Sequence, residues 1–579
     1  MRVVVQLAVL IAHGFASLAT ASPEIFDQKS NAVVQPDVQP AMDLITRNYG
    51  SRASNTFQLS LNPNAPPCKK APCFSLKANS STVELSASGV SELTYGIGYY
   101  TRFYCGLSVG WKNGGGSYSK PANLSWPCHQ EPFDSIDMSR AVPYTYEDNV
   151  CTHSYSYVWY SKEDWTRHID WMALSGVNVF LAMTGQEEIQ YKTFLQFNLT
   201  DLEIRNNFFN GPAFLTWSRG QNIQGVGMSG PLQDQGLPRS WMQSQWRLQK
   251  FILSRARSLG LIGVLPAFQG NMPESIKALH TAANISLAKS ITQPGLPTTQ
   301  HSAWVASTDP LFGKVADVWM ETLLADFGTD HWYQCDGFFT GLPPPWYDEK
   351  EPLLSTPPPT EAVIDIETPV EPDPGWSPVW KAAWGGMSRT DPKARWLYQG
   401  WAIRGWNDRA GASRLRALFE AVPKGQWIPL DMDINGIWKY FGNYSFFGAP
   451  FIWTTLHNMG GNDGLKGDMR LLSGMPSAAL DAGASIIGTG ATPEGIDQNP
   501  AYYEYVYDTA WHRNAQPLGD WFANYASRRY GNLTLTLTLT LTLTQLRFSE
   551  VRKHRKSECG FSVAAPSERH LQYTSGGLA

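Results

Sequence analysis

Two adjoining stretches decide the fold: "EDWTRHIDWMALSG" (163–176) and "NVFLAM" (178–183). The first spaces its apolar residues three and four apart, as an amphipathic helix does, and the second is a short apolar run typical of a buried strand. The same order recurs in "SWMQSQWRLQKFILSRARSLG" (240–260) and "IGVLPAF" (262–268). Amphipathic helices that alternate with buried strands predict an α/β fold with a mainly parallel sheet.

Four further strand candidates extend this pattern toward residue 500. They are "ARWLYQGW" (394–401), "QWIPLD" (426–431), "APFIWTTL" (449–456) and "SIIGTG" (485–490). The span suits a (β/α)8 TIM-type barrel, which we place at residues 126–505. A doubly wound open sheet is the structural alternative, but no strand candidate leads into a G-x-G-x-x-G phosphate-binding turn.

The residues before the barrel predict a small α/β domain, residues 22–125. Helical patterns occur in "PAMDLITRNYG" (40–50) and "GVSELTYGIGYYTRFYC" (89–105). Strand patterns occur in "TFQLSL" (56–61), "CFSLKA" (73–78), "TVELSAS" (82–88) and "GLSVGW" (106–111). A chain of 579 residues exceeds the roughly 250–300 that one core supports, which agrees with more than one domain.

Composition narrows the class of protein. The formal net charge is −4 and only 17% of the residues are charged, with no basic block before residue 530, which argues against a nucleic-acid-binding protein. The 23 tryptophans mildly favour a carbohydrate enzyme, since indole faces stack on sugars. They also fit an aromatic-rich core of any kind.

The N-terminus predicts an export signal over residues 1–21. Arg2 precedes an apolar run over 3–12, and Ala19-Thr20-Ala21 forms a small-residue cleavage pattern. We therefore expect a lysosomal or secreted protein, with no later stretch apolar enough to span a membrane. Six Asn-x-Ser/Thr triplets agree with passage through the secretory route: Asn79, Asn123, Asn198, Asn284, Asn443 and Asn532.

Cysteine spacing allows two short disulfide loops. Cys68 can pair with Cys73, and Cys105 can pair with Cys128, but sequence alone does not fix the pairing. The chain has no C-x-x-C motif and no His-rich spacing. We predict no metal site and no cofactor.

Polar or aromatic residues follow several strand candidates at the point where a loop must begin. In a parallel barrel, this C-terminal rim is where chemistry takes place. Each residue alone is better explained as a helix cap or a loop anchor, so their recurrence is the stronger signal. They are Gln186, Glu187, Trp401, Asp431, His457 and Asn458.

Longer ordered blocks support a family resemblance. They are "DNVCTHSYSYVWY" (148–160), "IDWMALSGVNVFLAMTGQEEI" (169–189), "FNGPAFLTW" (209–217), "VLPAFQGNMPE" (264–274), "PFIWTTLHNMGGN" (450–462) and "GTGATPEGIDQN" (488–499). Across residues 38–530 the chain resembles the α-N-acetylglucosaminidases of glycoside hydrolase family 89. The resemblance implies an N-terminal α/β domain, a (β/α)8 barrel and a C-terminal helical domain. It also implies a lysosomal retaining exo-glycosidase that removes terminal α-linked N-acetylglucosamine from heparan sulfate.

The resemblance assigns one of the two carboxyl groups that retaining hydrolysis requires. Glu494 in "PEGIDQN" matches the family's nucleophile. The acid/base Glu of the family follows an Asn shortly before a pair of prolines. Aligning "YQCDGFFTGLPPP" (333–345) on that block without gaps places Thr340 at the acid/base position. A threonine hydroxyl cannot protonate a leaving group, so this position predicts impaired activity.

Substrate contacts carry over only where the blocks match. Asn149, Cys151, Trp217 and Trp401 fall on residues that line the family's sugar pocket. Trp side chains offer stacking faces and Asn offers an amide that distinguishes hydroxyl positions. Cys151 is equally explained as a buried small apolar residue. Asn271 stands where the family has a His, a second departure from its pattern.

The C-terminal part departs further from the family. Residues 506–531 match the start of the helical domain, and "LTLTLTLTLTLT" (533–544) opens a low-complexity segment and tail over 532–579. Residues 343–378 are rich in Pro and acidic residues and predict an exposed insertion.

Two functions fit the sequence: an α-N-acetylglucosaminidase, favoured by Glu494, and a glycan-binding pseudoenzyme, favoured by Thr340. The expected partner in both is a glycan with a terminal N-acetylglucosamine.

Overall fold

The structure is a computed structural model. It describes residues 37–64, 68, 71–111, 124–129, 131–209, 211–215, 236–287, 302–335, 370–401, 403, 406, 409–439, 446–458 and 467–530. The predicted signal peptide, most of the predicted insertion, and the Leu-Thr repeat with its tail lie outside these residues.

The N-terminal domain is a four-stranded sheet with helices packed on it. Its strands lie in the order β1-β3-β2-β4, where β1 and β3 are parallel and the other pairs are antiparallel. The strands are β1 (Phe57–Leu61), β2 (Cys73–Ala78), β3 (Val83–Ala87) and β4 (Phe133–Ser139), and the helices are α1 (Gln39–Tyr49), α2 (Ser51–Ser54) and α3 (Val90–Phe103). Gly96 of α3 lies against Leu85 and Phe74, so the helix approaches the sheet closely. The predicted α/β domain is confirmed.

Two details of this domain differ from the sequence prediction. The sheet continues past residue 125, because β4 pairs with β2 at residues 133–139. Residues 106–111 form no strand. Gly106 adopts a positive φ of 61°, and the N–H of Leu107 bonds to Thr101 O at 2.9 Å, which turns the chain back onto α3. Leu107 and Trp111 are buried, which explains their strand-like apolar pattern.

Eight parallel strands then close into a barrel in the order β5-β6-β7-β11-β12-β13-β14-β15, and β15 pairs with β5. The strands from this part of the chain are β5 (Tyr144–Glu147), β6 (Val179–Leu181), β7 (Ile262–Pro266), β8 (Asn271–Pro273), β9 (Ile285–Leu287), β10 (Ser302–Val305), β11 (Trp332–Gln334), β12 (Arg395–Gln399), β13 (Trp427–Asp431), β14 (Phe451–Thr455) and β15 (Ile486–Ala491). The three strands outside the barrel form a small antiparallel sheet, β8-β10-β9. The predicted (β/α)8 architecture is confirmed.

Apolar side chains fill the inside of the barrel. Alternate residues of the strands contribute to this cluster, including Tyr146, Leu181, Val264, Leu397 and Ile452. Their neighbours along each strand face outward and pack against the surrounding helices in a second cluster. Because the interior is packed rather than open, polar chemistry is restricted to the two ends of the barrel.

Helices surround the barrel and follow its last strand. They are α4 (Thr152–Tyr155), α5 (Lys162–Ser175), α6 (Gln186–Leu195), α7 (Asp201–Asn207), α8 (Arg239–Ser258), α9 (Ile276–Leu279), α10 (Pro310–Phe327), α11 (Trp376–Ser388), α12 (Arg409–Ala421), α13 (Met469–Asp481), α14 (Pro500–Asp508) and α15 (Leu518–Tyr530). None of the helices in the described ranges has both the length and the apolar character that crossing a bilayer demands.

Close packing joins the N-terminal domain to the barrel. Gly98 of α3 faces the carbonyl of Leu174 in α5, where an added Cβ would lie 1.9 Å from that oxygen. Tyr95 stacks on Trp511 with ring centroids 4.0 Å apart. Any side chain larger than that of Gly98 would therefore push the two domains apart.

Both disulfide loops that the cysteine spacing allows are present. Cys68 bonds Cys73, and Cys105 bonds Cys128. Cys151 is buried beside the barrel interior, and no disulfide joins it to another described residue.

Candidate active site

The candidate site is built on the C-terminal ends of three neighbouring strands. β15 lies between β14 and β5, with Ala491 paired with Thr455 on one side and with Glu147 on the other. The loop that carries Glu494 begins directly after Ala491. Parallel strands end at the same rim, so the loops after β14 and β5 lie against this loop.

Side chains from the loop after β5 hold the first residues of the Glu494 loop. The Asn149 amide Nδ2 donates to Thr492 O at 3.2 Å, and the Thr152 hydroxyl donates to Pro493 O at 2.6 Å. All four residues are buried. The two carbonyls that precede Glu494 are therefore fixed by side chains.

Side chains also hold the peptide groups of Glu494 and its successors. Asn458 Oδ1 accepts from Glu494 N at 2.9 Å, and Asn458 Nδ2 donates to Gly495 O at 2.9 Å. Ser156 Oγ accepts from Ile496 N at 3.0 Å. Side-chain hydrogen bonds thus hold the backbone of five consecutive residues, 492–496, although the loop has no regular secondary structure.

The carboxyl group of Glu494 lies near Tyr155, at the partly exposed edge of the site. Burial raises the pKa of the Tyr155 phenol, and the nearby carboxylate of Glu494 raises it further. Glu494 is half-buried and 45% of the Tyr155 side chain is exposed. A polar ligand can reach this carboxylate from solvent.

Four of the six predicted site residues lie at this rim. Asn149 bonds the Glu494 loop, and its Oδ1 also accepts from Cys151 N at 3.0 Å. Cys151 belongs to the apolar cluster at the barrel interior, and Trp401 packs against the same cluster. Trp217 and Thr340 lie outside the described residues.

Other residues predicted at strand ends also lie at this rim. Gln186 and Glu187 begin α6. Asp431 accepts from Trp438 N at 2.9 Å and so holds the loop after β13. His457 stacks near Tyr502, with ring centroids 4.3 Å apart, and burial lowers its pKa to about 4. Asn271 is buried in β8 of the small sheet.

Sequence reasoning missed a pair of buried carboxyl groups at the same rim. Glu147 ends β5 and Asp148 follows it, and neither is exposed to solvent. The Tyr507 hydroxyl donates to Glu147 Oε2, and the Tyr157 hydroxyl donates to Asp148 Oδ1 at 2.6 Å. Within the described part of the chain, the second carboxyl oxygen of Glu147 has no hydrogen-bond partner, whereas the backbone of Leu181 also bonds the carboxyl of Asp148.

Burial changes the acidity of this pair. It raises the pKa of Glu147 well above the ordinary value, and the neighbouring charge of Asp148 adds to this effect. Burial also raises the pKa of Asp148 to about 7. His168 Nε2 donates a 3.1 Å hydrogen bond to the oxygen of Tyr157, but burial lowers the pKa of His168 to about 3, so it supplies no positive charge at neutral pH. The only sequence signal was the adjacency of two acids next to Asn149.

No cluster of three or more His, Cys, Asp or Glu side chains suited to a metal ion occurs within the described ranges. The side chains that converge on the loop are instead a carboxylate, amides, hydroxyls and aromatic rings. Such a set can bind a polar organic ligand and offer it one carboxylate nucleophile.

A closed parallel barrel with this site at its C-terminal rim defines a (β/α)8 barrel protein. Within that class, the chain belongs to the α-N-acetylglucosaminidase (NAGLU) family. The family's TIM-barrel domain matches residues 145–513, and its N-terminal domain matches residues 39–127. The family predicted from the sequence blocks is therefore confirmed.

Known relatives agree with this assignment. Human alpha-N-acetylglucosaminidase is 33% identical over 530 residues, which cover 91% of this chain and 65% of the relative. The family 89 glycoside hydrolase CpGH89 from Clostridium perfringens, solved with its substrate GlcNAc-alpha-1,4-galactose, superposes with a TM-score of 0.70 at 24% identity. That match covers 87% of this chain and 51% of the bacterial one. A Clostridium perfringens family 89 structure with PUGNAc gives a TM-score of 0.72 at 23% identity over 90% of this chain and 54% of that one. The chain thus spans about half to two thirds of the length of these relatives.

Proposed function

We propose that this chain is a retaining exo-glycosidase that acts on terminal α-linked N-acetylglucosamine, with Glu494 as its nucleophile. The observation that carries the proposal is the position of Glu494: it lies on a loop fastened residue by residue at the rim of a NAGLU-family barrel. A nucleophile must be held close to its attack geometry, and such a loop meets that requirement.

The names of the relatives support the substrate class. The human relative is named for α-N-acetylglucosaminidase activity, and the bacterial protein is described with GlcNAc-alpha-1,4-galactose as its substrate. We extend the proposal to heparan sulfate-type glycans and to a lysosomal or secreted location. Carboxyl groups with pKa values raised to about 7, such as those of Asp148 and Asp431, suit a protein that works in an acidic compartment.

In the proposed reaction, a carboxylate oxygen of Glu494 attacks the anomeric carbon of the sugar. The bond to the leaving oxygen breaks with its electron pair, and a glycosyl ester of Glu494 forms, which water then hydrolyses. Asn149, Trp217 and Trp401 bind the terminal sugar, and Cys151 closes the apolar floor of the pocket. Because Thr340 occupies the acid/base position, the leaving oxygen departs without a proton from that residue.

Leaving-group dependence tests this proposal. A dinitrophenyl α-N-acetylglucosaminide, whose leaving group needs no proton, should form the glycosyl ester, whereas a disaccharide should react at least about 10²-fold more slowly. Azide should speed turnover and give an α-glycosyl azide. Thr340→Glu should restore part of the disaccharide activity. Disaccharide cleavage by the unaltered chain at ordinary enzyme rates would refute the role assigned to Thr340.

A second function, glycan binding without turnover, is favoured by Thr340 together with Asn271, which replaces a family His. It predicts saturable binding of N-acetylglucosamine with no release of dinitrophenolate. Glu494→Gln separates the two functions: it should abolish release if the chain is an enzyme, and it should leave sugar binding within about tenfold under both.

A further inference from the structure

The loop that carries Glu494 leaves the barrel sheet after one backbone bond. Thr492 N donates to Thr455 O at 3.0 Å, which continues the β14–β15 ladder by one residue. Beyond this bond, side chains rather than a neighbouring strand form hydrogen bonds to the backbone of the loop. The peptide groups of Glu494 and Gly495 are both held by a single side chain, that of Asn458.

We propose that Asn458 is a positioning residue for the Glu494 nucleophile; the inference rests on the function proposed above. Asn458 is fully buried, and its amide bonds both Glu494 N and Gly495 O at 2.9 Å. The amide accepts from the N–H of Glu494 and donates to the carbonyl of Gly495, so it spans the peptide bond between these two residues. It fixes the backbone on both sides of the Glu494 carbonyl and hence the direction of its Cα–Cβ bond.

The chemistry of the contacts allows one orientation of this amide. Glu494 N can only donate, so Oδ1 must face it, and Gly495 O can only accept, so Nδ2 must face that atom. A flipped amide or a hydrophobic residue cannot make both bonds. Asp keeps the acceptor but loses the donor and adds a negative charge next to the Glu494 backbone.

Precise placement matters because the reaction depends on geometry. A displacement of about 1 Å at a reacting group can cost on the order of 10²-fold in rate. Loss of the Asn458 amide would free two peptide groups of an irregular loop and allow the carboxylate to move by such distances. Its effect should therefore fall on the bond-making step rather than on sugar binding.

The opposite end of the barrel offers a matched control. Asn178 precedes β6, where its Oδ1 accepts from Thr145 N at 2.8 Å and its Nδ2 donates to Pro143 O at 3.0 Å. This side chain is also buried, and it holds the chain at the start of β5. Asn178 thus makes the same pair of bonds as Asn458, but far from Glu494 along the barrel axis.

The experiment compares Asn458→Ala with Asn178→Ala in the full chain, with dinitrophenyl α-N-acetylglucosaminide as the probe. The first-order rate of the dinitrophenolate burst at saturation should fall about 10- to 100-fold in Asn458→Ala, with its half-saturating concentration changed less than about threefold. Asn178→Ala should keep the burst rate within about twofold. Both variants should lower the melting temperature by similar amounts.

A pH profile adds a readout that a purely structural role would not change. In Asn458→Asp, the added charge should raise the pKa of Glu494 and move the acidic limb of the burst rate upward by about one pH unit. Asn178→Asp should leave that limb in place. If Asn458→Ala fails to fold, the comparison of Asn458→Asp with Asn178→Asp still tests the proposal.

Each outcome decides between the proposals. A burst that both Asn458 variants leave unchanged, or that Asn178→Ala lowers equally, overturns the positioning role alone. If the unaltered chain releases no dinitrophenolate and Glu494→Gln behaves identically, the proposed function fails and the role of Asn458 falls with it.

Discussion

The acidic side chains at the two ends of the barrel have different bonding partners. At the N-terminal end, Asp330 pairs with Arg257 at 2.9 Å, and Asp391 accepts from His331 at 2.8 Å and from Tyr333 at 2.6 Å. At the C-terminal rim, the described residues place no cationic group on Glu147, Asp148 or Asp431; these carboxyls are bonded by hydroxyl and backbone groups.

The pKa values follow this difference. Burial alone would raise the pKa of Asp391, but the hydrogen bonds from Tyr333 and His331 hold it below its ordinary value. Burial raises the pKa of Asp431 to about 7, because the backbone N–H groups that it accepts from compensate only part of the lost hydration. One end of the barrel is therefore built for stability at neutral pH, and the other end carries uncompensated polar groups where the candidate site lies.

The largest expected effect separates the two ends by activity. Glu494→Gln should lower the dinitrophenolate burst rate by at least about 10³-fold, because the amide cannot form the glycosyl ester. Asp391→Asn should keep the rate per folded molecule within about threefold. Equal losses of activity in Glu494→Gln and Asp391→Asn would contradict the placement of the reaction at the C-terminal end of the barrel alone.

The next effect is a dependence of stability on pH. A carboxyl whose pKa is raised by folding contributes its full stability below its unfolded pKa, near 4, and loses that contribution as the pH rises through the folded pKa. With the pKa of Asp148 at about 7, the loss amounts to roughly 4 kcal/mol by pH 8. Urea unfolding between pH 4 and 8 should show this decline.

The double variant Glu147→Gln, Asp148→Asn should make that decline shallower, since the amides keep acceptors for Tyr507 and Tyr157 and cannot ionise, whereas Asp431 keeps its own contribution. A decline of unchanged slope in the double variant would show that other groups cause it.

A smaller effect of opposite sign belongs to Asp391. Its lowered pKa contributes stability above its ordinary pKa, and this contribution disappears as the pH falls through the folded value. Asp391→Ala should cost about 2–3 kcal/mol at pH 7, because the buried Tyr333 hydroxyl and His331 lose a charged acceptor. The cost should shrink toward pH 3. Thermal melts of the variant and the unaltered chain at both pH values measure this difference.

The smallest effect tests whether burial, rather than location, matters at the N-terminal end. Arg513 pairs with Asp481 at 2.9 Å, where α13 ends near the start of β15, but both side chains are at least half exposed. Arg513→Ala should change the free energy of unfolding by less than about 0.5 kcal/mol. A cost comparable to that of Asp391→Ala would show that exposed pairs also stabilise this end.

The sequence predicted six of the eight barrel strands, because their apolar runs are long enough to be recognised. β5 (YTYE) and β11 (WYQ) were missed because neither lies within an apolar run such as the one around the three-residue β6, and only pairing with both neighbours makes them strands. β4 was not predicted for a similar reason, and the boundary set at residue 125 falls before it. Its polar, partly exposed pattern does not reveal which sheet it joins.

The residues of the candidate site were also predicted only in part from the sequence. Glu494, Asn149, Cys151 and Trp401 were named from sequence blocks, and Asn458 from its position after a strand. The bond between Asn458 and Glu494 joins residues 36 apart in sequence and follows from the adjacency of β14 and β15. The pair of carboxyl groups on Glu147 and Asp148 was not predicted, since adjacent acidic residues are ordinarily interpreted as exposed.

By itself, the sequence determined the alternation of helices and strands, the family and the identity of the candidate nucleophile, because hydrophobic periodicity and ordered motifs are local properties of the chain. Only the tertiary structure decided which side chains hold the Glu494 loop and which carboxyl groups lose their hydration. Both depend on closure of the barrel, which brings β15 against β5, and the first and last barrel strands are more than 300 residues apart in the chain.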